Sequence, residues 1–195
     1  MRARALLVCS AAVAVGAVGI APARGGLPII FDQGPSTGEL GTCWSNQAED
    51  QNWADQATFA DETIVQGIEL YVLSDPGPVA VHVKILADDG AGNPGAPVHE
   101  EDLPGPFVEP IGGGLFRVAV ALSEPFTAAA GTTYWYGLSG HVPFSFDVCT
   151  VLSPGDGRIA IFLGSEFLDH RDLGDQMFAL LGEVVPVALQ SFTVE

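Results

Sequence analysis

The sequence predicts an all-β protein, a two-layer antiparallel β-sandwich with a jelly roll as the expected topology. Short segments of alternating apolar and polar residues recur along the chain, and in segment 79–86 the residues Val81, Val83 and Ile85 share one face. Glycine (24 residues) and proline (14 residues) separate these segments as turn formers. No segment has the apolar repeat of a stable amphipathic helix.

Two long alternating segments, 64–73 and 79–86, are predicted to form the central β-hairpin of the sandwich. Their connector is Ser74-Asp75-Pro76-Gly77-Pro78. It cannot continue either strand, because each proline lacks an amide donor.

The other predicted strands lie on both sides of this hairpin. Before it come a strand at 27–31 and a strand at 56–61, and the polar segment 45–55 between them is compatible with a single helical turn. After it, the predicted strands are 97–103, 116–122, 125–128, 132–138, 144–151, 158–163, 177–181 and 184–194.

Residues 1–23 have the features of a cleaved secretory signal. Arg2 and Arg4 provide the positive charge, an apolar run follows, and Ala21-Pro22-Ala23 forms a small-residue cleavage site. The rest is predicted to be one domain, with 24–55 as the N-terminal strand and polar, disulfide-bearing segment and 56–195 as the sandwich body. This interpretation predicts a secreted, extracellular or periplasmic protein without stable membrane insertion after signal cleavage.

The chain is strongly acidic, with 24 Asp and Glu against 7 Lys and Arg and a formal net charge of −17. Nucleic acids and anionic membrane surfaces bind basic surfaces, so this balance argues against both as partners. A glycan or another surface protein is the expected partner. The acidity itself has two interpretations, which are solubility outside the cell and binding of a divalent cation such as Ca²⁺ through carboxylate oxygens.

Cys43 and Cys149 are the two cysteines of the mature chain, because Cys9 lies in the signal segment. An even pair in an exported protein predicts one disulfide, which would join the N-terminal segment to a late strand. A catalytic or metal-binding thiol is disfavoured, because no Cys-x-x-Cys motif occurs and the four histidines lack ligand spacing.

The turn-rich segment after the second long strand contains the candidate metal ligands, Asp88, Asp89 and Asn93. Side-chain oxygens alternate with glycines there, as they do in calcium loops. The segment does not match the EF-hand register, since the terminal Glu is missing. The alternative is therefore a hairpin loop rich in Asx turns.

Five aromatic residues form the candidate ligand-binding set. Tyr134, Trp135 and Tyr136 are consecutive on one predicted strand, so Trp135 points to the opposite face from the tyrosines. Rings on a sandwich face stack against sugars in carbohydrate-binding modules, and Trp44 and Trp53 could extend such a platform. In the alternative, Trp135 fills the core and the tyrosines lie partly exposed.

No catalytic residues are predicted. Acidic residues are so common here that chance accounts for their pairing, and a glycosidase needs two carboxylates about 5 to 10 Å apart across a cleft. The Gly-x-Ser-x-Gly pattern occurs at 34–38 (GPSTG), but there it lies in a run of turn formers without a following helix, and no glycine-rich loop is followed by a lysine and a helix. We therefore expect a non-enzyme, with glycoside hydrolysis as the remaining catalytic alternative.

Five segments resemble, in sequence and order, segments of a known domain family. They are 57–61 (ATFAD), 64–68 (IVQGI), the turn 89–95, 125–135 (PFTAAAGTTYW) and 175–182 (DQMFALLG). Between residues 56 and 182 the chain resembles bacterial exported choice-of-anchor domains of the R type. The resemblance implies a secreted or surface-displayed β-sandwich without established enzymatic activity. Such domains usually precede a C-terminal anchoring signal, whereas 191–195 has no apolar helix or basic tail, so release is expected.

These observations favour a non-catalytic exported β-sandwich that acts as a surface or extracellular structural or adhesion module. The alternative is a carbohydrate-binding module with an aromatic platform and a structural Ca²⁺ ion.

Overall fold

The computed structural model describes residues 26–35, 40–45, 51–73, 80–140, 147–151, 155–163, 166–172 and 174–186. These residues form strands, turns and bends, and none of them is helical. Accordingly, no described segment contains a helix with the length and hydrophobicity to cross a membrane. The predicted signal segment 1–23 lies outside the described residues, as does most of the predicted strand 184–194.

Eight strands form the first sheet, in which every pairing is antiparallel. Its central strand, β4 (Thr63–Leu73), pairs along one edge with β8 (Leu115–Ala128) and along the other with β14 (Phe178–Val184) and β10 (Asp147–Val151). The outer strands are β7 (Phe107–Gly112) on β8, β1 (Ile29–Asp32) on β14, and both β2 (Leu40–Ser45) and β13 (Asp175–Gln176) on β10.

Six antiparallel strands form the second sheet. Their order across the sheet is β12 (Glu166–Arg171), β11 (Ile159–Leu163), β3 (Gln51–Thr58), β9 (Thr133–Gly140), β5 (Ala80–Asp88) and β6 (Pro94–Pro104). The predicted all-β antiparallel sandwich is therefore confirmed, whereas its jelly-roll topology is not.

Consecutive strands β4 and β5 lie in different sheets, so the predicted central hairpin is wrong. β4 pairs with β8, β10 and β14, whereas β5 pairs with β6 and β9. Alternation specifies that a strand has a core face, but it does not specify the neighbours of that strand. Two strands joined by a short connector can therefore face each other across the roughly 10 Å between packed sheets.

The main apolar core lies between the two sheets. Each large apolar side chain buried there stabilises the fold by roughly 1.5 to 3 kcal/mol relative to an exposed one. The largest fully buried members are Tyr136, Phe178, Ile68, Leu70, Ile85, Leu138, Ile159 and Leu180.

The opposite face of the second sheet is also buried. Ala54, Leu86, Trp135, Ala160 and Phe162 form a separate group there, which we call the outer cluster. The edge strand β12 contributes Phe167 to it, so this sheet has apolar contacts on both faces. Burial on both faces explains why strand β11 (IAIFL) is continuously apolar.

Several strands differ from the sequence predictions. β3 begins at Gln51, so the second half of the predicted helical-turn segment is strand. The predicted strands 116–122 and 125–128 are one strand, β8, whose pairing with β4 skips from Ala121 to Phe126. β2, β7, β12 and β13 were not predicted, because none of them has regular alternation of apolar and polar residues.

Candidate functional site

A buried carboxyl group, that of Asp55, lies on the inner face of β3. Trp53 and Ala57 belong to the main core and lie two residues before and after it. Strand alternation therefore directs Asp55 into the space between the sheets, where it is 1% exposed. Burying a carboxyl group is costly unless hydrogen bonds or a proton compensate for the lost water.

Two backbone amides donate to this carboxyl group. The N–H of Gln176 donates to Oδ2 at 2.6 Å, and the N–H of Gln56 donates to Oδ1 at 2.7 Å. Because Gln176 is on β13 of the first sheet, the first of these bonds joins the two sheets. Burial raises the pKa of Asp55 well above its usual value, and the charges of Asp175 and Asp156 raise it further, against the lowering effect of the amides.

Asp175 contributes a second buried carboxyl group, from the residue next to Gln176. Its Oδ1 accepts a hydrogen bond from the N–H of Gly157 at 3.0 Å, whereas its Oδ2 is buried without a hydrogen-bond partner. Burial raises the pKa of Asp175 to about 6; the charge of Asp156 adds to this effect and the Gly157 amide opposes it. Protonation of Asp175 is favoured because the ionised carboxylate would carry negative charge on a buried oxygen, Oδ2, that has no hydrogen-bond donor.

The turn that precedes β11 lies directly against Asp175. A Cβ atom at Gly155 would be 2.5 Å from the Asp175 carboxylate, and the backbone φ of Gly155 is +122°. Only glycine accommodates both the close approach and this backbone conformation.

Asp156 in the same turn contributes a third, exposed carboxylate. Its Oδ2 accepts a hydrogen bond from Nε2 of Gln56 at 3.2 Å and lies 3.6 Å from Nε of Arg158. We call Asp55, Asp156 and Asp175 the inter-sheet carboxyl cluster. Two of its members are buried where the first sheet meets the second, and the third borders solvent.

The sequence predictions did not include Asp55 or Asp156, and they considered Asp175 only as one of many acids and as a member of a candidate cation-binding cluster with Asp32 and Asp61. Asp55 was assigned to the polar segment because the strand was predicted to start at Gln56. One signal was available: Trp53, Asp55 and Ala57 share a face if the strand starts earlier. An aspartate on an otherwise apolar face indicates a buried carboxyl group.

The predicted metal ligands Asp88, Asp89 and Asn93 use their oxygens within a turn. Asp89 Oδ1 accepts from the N–H groups of Ala91 and Asn93 at 2.7 and 3.1 Å, and its Oδ2 accepts from Asn93 Nδ2 at 3.1 Å. These hydrogen bonds lower the pKa of Asp89, and the bond from the Asn93 side chain has the largest effect. Asp88 accepts from the N–H of Gly90 at 2.7 Å.

In the described part of the chain, no group of three or more His, Cys, Asp or Glu residues is arranged to hold a metal ion. The geometry at residues 88–93 is that of a turn closed by Asx hydrogen bonds. Calcium binding there stays a prediction.

The predicted aromatic residues are divided between the two apolar regions. Trp53 and Tyr136 are buried in the main core, and Tyr134 is half-buried against it, with its ring 5.1 Å from that of Phe126. Trp135 is 1% exposed in the outer cluster. Trp44 is on β2, but its side chain lies outside the described part of the structure. The carbohydrate platform stays a prediction, and the three most buried of its rings expose almost no surface.

Polar bonds close the outer cluster on its solvent side. Trp135 Nε1 donates to Asp88 Oδ2 at 3.2 Å, and the ring of His170 lies 5.4 Å from that of Trp135. Nε2 of His170 is 3.0 Å from Oδ1 of Asn93. These contacts connect β12, at one edge of the second sheet, to the turn between β5 and β6 at the other edge, so the sheet is strongly curled.

Two histidines on the β5–β6 side contact carboxylates. His82 lies between two carboxylates. Its Nδ1 is 2.8 Å from Oδ1 of Asp102, and its Nε2 is 3.0 Å from Oε1 of Glu100. Nε2 of His99 is 2.9 Å from Oε1 of Glu101.

Glu101 also accepts hydrogen bonds from the backbone N–H and the hydroxyl group of Ser123 on β8. In a catalytic triad the histidine lies between the serine and the acid. Here the Glu101 carboxylate lies between Ser123 and His99. This arrangement joins the edge of the second sheet to the first sheet, and its order differs from that of a Ser–His–acid triad.

Cys43 and Cys149 are directly opposite each other in the β2–β10 pairing. Directly opposed residues of antiparallel strands have Cα atoms about 4.5 to 5.5 Å apart, which is within the range that a disulfide spans. Cys149 is fully buried.

Lys84 and Arg117 are basic residues that contribute little to the protein surface. Lys84 is buried with Nζ 4.9 Å from the centre of the Phe162 ring, and burial lowers its pKa against the charge of Glu100. Arg117 is buried beside Glu69 and Glu109. The described surface is therefore more uniformly acidic than the composition alone indicates.

No family model matches the chain, and no similar curated protein or solved structure was found. The resemblance to choice-of-anchor domains therefore stays a prediction.

Proposed function

We propose that this chain is a non-catalytic exported β-sandwich that serves as a structural or adhesion module outside the cytoplasm. The supporting observation is that the histidines with described side chains, and the serine close to one of them, are bonded to other groups of the fold. Each histidine with a described side chain, at positions 82, 99 and 170, contacts a carboxylate or an amide. The serine nearest to a histidine–acid pair, Ser123, donates to the acid.

The acidic surface supports the same proposal. With Lys84 and Arg117 buried, the described surface repels other anionic polymers and favours solubility at high concentration. The opposed cysteines support a Cys43–Cys149 disulfide, which forms and persists in oxidising compartments. Both features suit a protein that is exported through the predicted signal.

The test has a processing part and an activity part. Mass spectrometry of the exported protein should give Arg24 as its first residue and a mass that corresponds to oxidised cysteines. The purified protein should show no turnover on panels of glycoside, ester and peptide substrates. Turnover that disappears in Asp175→Asn or Glu101→Gln, but not in the exposed control Asp172→Asn, would contradict the proposal.

Carbohydrate binding is tested in the same preparation with a glycan array. We expect no specific binding, because Trp53, Trp135 and Tyr136 are buried. Specific binding that is lost in Trp44→Ala and retained in Tyr134→Phe, which keeps its ring, would favour the carbohydrate-binding alternative. Repeating the array with Ca²⁺ and with excess chelator shows whether the alternative requires the metal.

A further inference from the structure

We propose that Asp55 and Asp175 form a proton-controlled contact between the two sheets, intact when the pair holds a proton and strained when both carboxyl groups are ionised. This inference does not depend on what the module binds. It would make the exported protein more stable in mildly acidic than in neutral or alkaline surroundings.

The geometry provides the first argument. The bond from Gln176 N–H to Asp55 connects β13 of the first sheet to β3 of the second. Asp175 is the adjacent residue on β13, and its charge acts on Asp55. Two like charges thus lie on opposite sides of the boundary between the sheets, in surroundings that exclude water.

The surrounding groups provide the second argument, because none of those described neutralises both carboxylates. β9 places Tyr136 opposite Asp55 in the register, and this hydroxyl group has no hydrogen-bond partner. The turn before β11 adds the negative charge of Asp156, and Arg158, the cation of that turn, lies beside Asp156. A bound proton is therefore the simplest means of removing the repulsion.

The unpartnered oxygen provides the third argument. Asp175 Oδ2 is buried without a hydrogen-bond partner, although Oδ1 is bonded to Gly157. An ionised carboxylate with one unsatisfied buried oxygen loses hydration without replacement. A protonated carboxyl group is neutral, so it loses less hydration free energy when it is buried.

The direction of the pH dependence follows from linkage. The folded-state pKa of Asp175 is about 6, above its unfolded value, and that of Asp55 is also raised. The folded state then binds more protons than the unfolded state, so the stability that Asp175 contributes falls as pH rises from about 4 through about 6, and the raised pKa of Asp55 acts in the same direction. For Asp175 alone, we expect the folded-to-unfolded ratio to fall roughly 10- to 100-fold between pH 4 and pH 7.

The experiment measures urea unfolding of the mature oxidised protein between pH 4 and pH 8, in wild type, Asp175→Asn and Asp172→Asn. Any acidic protein gains stability as its net charge falls, so the wild-type profile alone does not test the proposal. Asp172 is exposed and close in sequence, and its replacement removes the same charge. We expect Asp172→Asn to keep the wild-type slope and Asp175→Asn to have a distinctly smaller one.

Parallel profiles for all three proteins would overturn the proposal. If Asp175→Asn does not fold, carboxyl ¹³C titration of the wild type replaces it. An aspartate titrating near pH 6 supports the proposal, and the absence of any aspartate that titrates above about pH 5 overturns it. Stabilisation of the wild type by Ca²⁺ at pH 7.5 that is absent in Asp175→Asn would also overturn it, because a cation would then occupy the place assigned to the proton.

Discussion

Asp55 and Asp89 are both aspartates that accept hydrogen bonds from backbone amides, yet their pKa values shift in opposite directions. Asp89 lies in an exposed turn, where three hydrogen bonds stabilise its charge and lower the pKa. Asp55 accepts two such bonds, but burial between the sheets outweighs them and raises the pKa. The comparison shows that exposure to water, more than the number of hydrogen-bond donors, decides whether the fold favours the ionised or the protonated form of a carboxyl group.

The two regions also differ in what holds them in place. The turn 88–93 is organised mainly by local bonds, supplemented by the bond from Trp135 to Asp88 and by the contact between His170 and Asn93. The inter-sheet carboxyl cluster consists of residues far apart in sequence, on β3, on β13 and in the turn before β11. Disrupting strand pairing should therefore affect the cluster more than the turn.

The largest expected effect comes from removing the proposed disulfide, because it fastens the strand beside the cluster. Cys149 is on β10, which pairs with both β2 and the cluster strand β13. The chain-entropy model gives a loss of at most about 4 to 5 kcal/mol for a crosslink that closes a loop of this size. Urea unfolding of the variant with Cys43→Ser and Cys149→Ser, compared with oxidised wild type, measures it.

The control for this prediction is wild type treated with a reductant, which should match the double variant in stability. Equal stability of the oxidised and reduced wild type would show that the opposed cysteines do not form a stabilising bond.

A smaller effect is expected where the turn meets the outer cluster. Trp135→Phe keeps an aromatic ring but removes the indole N–H that donates to Asp88. We expect a loss of about 1 to 3 kcal/mol in the free energy of unfolding, from the hydrogen bond and the reduced packing together. A double-mutant cycle with Asp88→Ala isolates the bond, because additive effects of the two substitutions would show that it contributes nothing.

The smallest effect is expected at Asp89. Its lowered pKa means that its ionised form stabilises the turn at neutral pH and that this contribution is lost as pH falls through the folded-state pKa. Asp89→Ala should therefore lower the melting temperature slightly at pH 7 and by less in acid. Asp61→Ala, which alters another exposed aspartate, is the control. If Asp89→Ala lowers the melting temperature more in acid than at neutral pH, the prediction is wrong.

The turn at 88–93 was predictable from sequence because its bonds join residues two to four positions apart. The carboxyl cluster was not, because its central hydrogen bond joins residues 55 and 176. The same distinction applies to the strands. The alternation in β5 and β8 was read correctly, whereas the pairing of β4 with β8 and of β5 with β9 depends on contacts that local patterns do not encode.

The aromatic strand shows the same limit. Alternation alone established that Trp135 and Tyr136 point to opposite faces of β9. Tertiary structure decided that both faces are buried, because the curled second sheet brings β12 and His170 over Trp135.

By itself, the sequence determined the all-β class, the acidic surface and the turn at 88–93, since periodicity, composition and short-range hydrogen bonding are local properties. Only the tertiary structure decided which strands share a sheet, that Lys84 and Arg117 are buried, and that Asp55 accepts a hydrogen bond from β13 of the other sheet. These features depend on the solvent exposure of each side chain, which is determined when strands that are distant in sequence pack together.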